Sequence, residues 1–186
     1  MRRSLLPLVL VVVVAAACKG GGTGTSPTFV QPTFWVGDVV FSTKQVEAGL
    51  QSTYVVKGSV DWVKEEGEEL APLGTSYKIQ SGFLTVTLTS ESVASCRVSG
   101  GTTLTLRSGD GSLLLGPNGT YTGQIRAEKP FSATLSCSGG EVSLGSLAFI
   151  NLQMRGQVDN LRMEGTMEPL VAGGVTSSGS WDFLAR

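Results

Sequence analysis

A chain that alternates apolar and polar side chains can bury one face only if its backbone is extended. This chain alternates in that way from residue 34 onward. Tyr54, Val56, Gly58, Val60 and Trp62 form one apolar row, and Leu84, Val86 and Leu88 form another. The same period carries Phe131, Ala133, Leu135 and Cys137, then Ala148, Ile150, Leu152 and Met154. It returns in Leu161, Met163, Gly165 and Met167, and in Trp181, Phe183 and Ala185. Between these positions stand Thr, Ser, Lys, Glu and Arg, so each run offers one dry face and one wet face, as antiparallel sheets do.

Turn chemistry falls between the runs. Ser108-Gly109-Asp110-Gly111, Gly116-Pro117-Asn118-Gly119 and Ser138-Gly139-Gly140 are turn signals. Pro32, Pro72, Pro117, Pro130 and Pro169 are read as borders of runs, where a missing N–H does no harm. The 25 glycines suit many short strands joined by tight turns. No helical stripe stands out; residues 43–50 would form one short helical turn at most. The expectation is an all-β antiparallel meander of about ten to twelve short strands, closed as a barrel-like (calycin-like) form or packed as a sandwich. A transmembrane barrel fits less well, because its lipid-facing band would be richer in aromatics and its strands nearer about 10 residues throughout.

The N-terminus carries a different pattern. Arg2 and Arg3 precede an apolar run, Leu5 to Val14, which ends in Ala15-Ala16-Ala17-Cys18. A basic head, a short apolar segment and small residues before a cut describe a secretory signal peptide. The run is shorter than the roughly 20 residues of a membrane span. The segment Ala15 to Cys18 resembles the lipobox of bacterial lipoproteins, with Ala15 where leucine is usual. The resemblance implies that Cys18 is acylated and becomes the mature N-terminus, and Lys19 after it implies outer-membrane delivery in a Gram-negative host. Each buried methylene of an acyl chain contributes about 0.8 kcal/mol to anchoring. Three segments are expected: a signal peptide over 1–17, a lipid-anchored flexible linker over 18–32, rich in Gly, Thr and Ser, and a single all-β domain over 33–186. The location is then the cell envelope, on its extracytoplasmic side.

Three cysteines are present. With Cys18 lipidated, Cys96 and Cys137 remain as a pair, and an oxidising compartment permits a disulfide between them. Each precedes a Ser-Gly-Gly sequence, Ser99-Gly100-Gly101 and Ser138-Gly139-Gly140, which places both near strand ends. The two similar segments are too few and too unevenly spaced to make a repeat.

The residues of catalysis are sparse. There is no histidine, so Ser-His-Asp and Cys-His arrangements are excluded, as are most transition-metal sites. Two cysteines alone do not complete a zinc shell. No S-x-x-K stands in the sequence, and no pair of acids is singled out for glycoside hydrolysis. The run Glu65-Glu66-Gly67-Glu68-Glu69 reads as a solvated loop tip without the spacing of a calcium loop. Asn118-Gly119-Thr120 matches a glycosylation sequon but reads better as a turn. Trp35, Trp62 and Trp181 are expected in the core rather than around a ligand. The net charge of −1 and the absence of a basic patch argue against nucleic acid.

No catalytic residue, metal or cofactor is assigned, and no ligand-binding residue is identified. The expected partners are the membrane, through lipid on Cys18, and either an envelope protein or a small apolar ligand inside a barrel. The chain resembles lipocalin-like lipoproteins in architecture only. Trp35 stands near the start of the first strand as in lipocalins, but Gly37 follows it and the G-x-W triplet is absent.

Overall fold

The alternating runs form strands, and they run longer than their turn residues suggest. The computed structural model describes residues 31–47, 50–70, 74–90, 96–172 and 174–186. These contain nine strands: β1 Phe34–Glu47, β2 Leu50–Leu70, β3 Gly74–Ser90, β4 Arg97–Leu106, β5 Gly111–Leu115, β6 Thr120–Cys137, β7 Gly140–Gln157, β8 Arg162–Ala172 and β9 Val175–Ala185. A single 3-10 turn, Ser108–Asp110, separates β4 from β5. Both halves lie between β3 and β6, so β4 and β5 are one stave broken in the middle. Asp110 Oδ2 accepts the Arg107 N–H at 2.7 Å and fixes that break.

All pairings are antiparallel. The sheet runs β8-β9-β1-β2-β3, then β4 and β5, then β6 and β7, so the chain returns to lay β9 beside β1. The wall curls into a barrel. Its last seam, between β7 and β8, is joined by an Asp159–Arg162 bridge in the connecting turn rather than by a strand ladder. The all-β meander is therefore as expected, with fewer and longer strands than the turn signals imply.

Several of those signals sit inside strands. Residues 43–47 continue β1 as strand, not helix, and pair with both β2 and β9. Ser99-Gly100-Gly101 lies within β4 rather than in a turn. An added Cβ at Gly100 would come within 2.9 Å of Ala133 Cα, its cross-strand partner, so close approach explains this glycine. Pro130 lies within β6, in the stretch that pairs with β7 alone. Pro169 marks a register shift in β8, where a missing N–H is tolerated. The acidic run from Glu65 is not a loop tip: it lies in β2, where the ladder to β3 breaks after Lys64 and resumes at Glu69.

The inward rows are the apolar ones. Trp35, Trp62, Phe41, Leu84, Ile125, Ile150, Leu152, Met163 and Phe183 are buried in one continuous core. Outward neighbours such as Lys57, Thr85, Thr87 and Thr89 are exposed. The interior is thus apolar, whereas the interior of an outer-membrane barrel is polar. Trp35, Trp62 and Trp181 are all core residues, as expected. The signal segment 1–17, Cys18 and most of the 18–32 linker lie outside the described residues. The last two linker positions touch the barrel base: Gln31 donates to the Leu115 carbonyl, and Tyr77 donates to the Pro32 carbonyl at 2.7 Å.

Candidate functional site

The register of β4 against β6 decides the cysteine geometry. Arg97 faces Ser136 and Val98 faces Leu135, so one step further puts Cys96 opposite Cys137. The two are joined by a disulfide with Cα atoms 4.2 Å apart. That is close to the spacing of a non-hydrogen-bonded antiparallel pair, about 4.5 Å. The bond pins the start of β4 to the end of β6, and the β6–β7 hairpin turns immediately beyond it. Beyond the barrel rim this hairpin is open to solvent, and Val142 and Leu144 are exposed although they continue the inward row of β7.

At the seam the wall is bolted by polar aromatics. Trp181 Nε1 on β9 donates to the Tyr121 hydroxyl on β6 at 2.8 Å, and that hydroxyl donates to the Glu164 carbonyl on β8 at 3.0 Å. Glycines make room for both rings. A Cβ at Gly156 would lie 2.7 Å from the Tyr121 oxygen, and one at Gly165 would lie 2.5 Å from Trp181 Cζ2. Each glycine is the cross-strand partner of the aromatic it accommodates. Burial pushes the Tyr121 phenol up; its bond to Trp181 opposes the rise and the charge of Glu164 adds to it. Burial also raises the Tyr77 phenol. The Trp35 indole lies near enough to offset part of that rise, but it does not reach hydrogen-bond geometry.

Outside the seam, Arg162 donates to both carboxylate oxygens of Asp182 at 2.7 Å and approaches Glu164 at 3.2 Å. The hydrogen bonds from Arg162 hold the Asp182 carboxyl below its ordinary range, and those bonds with both acids raise Arg162. The cluster is solvent-exposed and acts as a surface clip on the β8–β9 hairpin.

An open groove of about 700 Å³ crosses the outer face to the seam. Its walls include Leu114 and Gln124, then Gln153 and Arg155 of β7, and Thr166 and Glu168 of β8. Inside the barrel, the only buried polar side chain among the described residues, tyrosine and tryptophan aside, is Thr75. The interior therefore presents no convergent set of acid, base and nucleophile among those residues.

Of the residues singled out from sequence, Cys96 and Cys137 are brought together and Cys18 lies outside the described residues. The seam thread is not legible in the sequence. Its signal is the pairing of each aromatic with a glycine, which needs the register to be seen.

No protein-family model matches the chain, and no curated protein does. Among solved structures, the chain is similar to the crystal structure of Ail, the attachment invasion locus protein of Yersinia pestis. The two are 12% identical, the match covers 82% of this chain and 97% of that one, and the TM-score is 0.24. A likeness of that size carries no argument about function or membrane insertion.

Proposed function

We propose that this is a cell-envelope lipoprotein, held to the membrane by lipid on Cys18, whose β domain is a non-catalytic module that binds or scaffolds through its surface. In a Gram-negative host the location would be the outer membrane. The filled interior carries the reading of the domain: Trp35, Trp62, Tyr77, Phe41 and Phe183 are all under 2% exposed. A carrier needs an interior space of several hundred cubic ångströms, and here that space holds side chains. An apolar core without a polar cluster likewise offers chemistry little to work with. The anchor rests on the lipobox-like segment alone.

Fractionation of cells expressing the full chain tests the anchor. The wild-type protein is expected in the membrane fraction after a salt wash, and Cys18→Ser is expected in the soluble envelope fraction. Retention of Cys18→Ser on salt-washed membranes would sink the lipoprotein reading. Native mass spectrometry tests the domain. A bare protein mass, two units light for the disulfide, supports the surface module; a discrete added mass that leaves on denaturation would replace it with the carrier.

A further inference from the structure

Antiparallel register lays an amide ladder across the outer face of β5, β6 and β7. Ser112, Gln124 and Gln153 stand in one cross-strand row, Arg126 faces Asn151 in the next, and Glu128 faces Phe149 in the third. The outward positions of β7 therefore read Phe149, Asn151, Gln153 and Arg155: a ring, two amides and a cation in line. Phe149 is 47% exposed, with the Arg126 guanidinium 6.0 Å from its ring centroid. The core does not account for this ring, because β7 fills the core from its other face with Ile150, Leu152 and Met154. The side chains of Gln124, Asn151 and Gln153 bond to no other described residue. Among those residues Glu65, Arg126, Arg155 and Glu168 form no ion pair.

Two clefts meet on this face. The groove of about 700 Å³ and a second of about 420 Å³ share Glu65, Tyr77, Ser112 and Gln124. Together their walls carry three acids, Glu65, Asp110 and Glu168, and three cations, Lys78, Arg126 and Arg155. That balance draws in neither a polyanion nor a polycation. The backbone of β6 here is paired on both sides, so an extended peptide has no edge to add to as a strand. Recognition falls to the side chains. Amides donate and accept at once, which matches a ligand whose hydroxyls do both. A sugar ring also presents apolar C–H faces, and an exposed aromatic ring is their complement. We propose that this groove binds a neutral oligosaccharide, with Phe149 against the face of a sugar ring and Gln124, Asn151 and Gln153 on its hydroxyls. The site specifies the surface module described above and rests on that reading.

Amide chemical shifts of the isotope-labelled full chain carrying Cys18→Ser, titrated with chitotetraose and with cellotetraose, read the site. Saturating shifts confined to β5, β6 and β7 are expected with at least one of them below about 5 millimolar sugar. Phe149→Ala should raise the dissociation constant about tenfold, and so should Gln124→Ala combined with Gln153→Ala, the loss of roughly one or two hydrogen bonds. Phe83→Ala removes an exposed ring on β3 outside both clefts and should change nothing. All four positions are on the exposed outer face, so each variant should fold. Silence with both tetramers overturns the proposal. So does a stronger response to polygalacturonate, an anionic glycan, or a loss in Phe83→Ala equal to that in Phe149→Ala. Silence beside a bare mass in native mass spectrometry sinks this site and leaves the surface module standing; a cargo mass there sinks both.

Discussion

Tyr121 joins three strands through one oxygen, accepting from Trp181 and donating to the Glu164 carbonyl. Tyr121→Phe would leave a buried indole N–H without its acceptor, and such losses cost about 1–3 kcal/mol. Chemical denaturation should show a drop of that size, and an unchanged midpoint would mean the thread bears no load. The two raised phenols also set a pH dependence. Below pH about 10 they are protonated in both folded and unfolded chains. Above it the unfolded chain ionises while Tyr77 and Tyr121 hold their protons, so stability falls as pH rises towards their folded values. Melting temperatures should decline above pH about 10, and the combined Tyr77→Phe and Tyr121→Phe variant should flatten that decline. An identical slope in the variant would contradict the assignment.

Two elements carry predictions of opposite sign. The β7–β8 connection is a two-residue turn with Asn160 at φ 47° and Leu161 at φ 60°. Such turns favour Asn-Gly, because only glycine takes the second position freely. Leucine there costs roughly 1–2 kcal/mol, and Leu161 is half-exposed, so little burial repays it. Leu161→Gly should therefore raise the melting temperature; a fall would show that its side chain packs more usefully than its exposure implies. The disulfide works the other way. It closes a 41-residue separation, which the chain-entropy model values at roughly 3–4 kcal/mol. Cys137→Ser should lower the melting temperature under non-reducing conditions, with hydrogen exchange rising first where β4 meets β6.

These elements also show what the sequence discloses. The rows at Tyr54, Leu84, Ala148 and Trp181 point inward as their period requires, since a one-residue slip would turn a whole row to solvent. Leu161 fits the head of such a row by period, yet it belongs to the turn, because periodicity does not see φ. Gly100 and Pro130 mimic strand borders for a related reason. A glycine needed for close approach and a proline tolerated beside an unpaired stretch look like turn residues until the neighbouring strand is known. The cysteine pair was legible because elimination left one pairing. The seam is not, because it depends on which strands fail to pair.

For the whole molecule, the filled interior makes a quantitative claim. Leu152 is wholly buried on β7 beside the seam. Leu152→Ala should cost about 2–5 kcal/mol if the space around it is packed as tightly as a core. A cost well below that would expose slack in the interior and reopen the carrier reading. The barrel also has two unlike ends. Its base is tied by reciprocal bonds between Phe34 and Arg186. The other end carries the open hairpin beyond the disulfide. β1 enters at the base and is laced to β2 on one flank and to β9 on the other along almost its full length. A tug on the chain at residue 31, directed away from whatever grips the far end, would drag β1 lengthwise. Every rung on both sides would resist together, rather than opening one after another like a zip. The domain is thus roped where its first strand enters, so that it resists a pull on that strand as a unit.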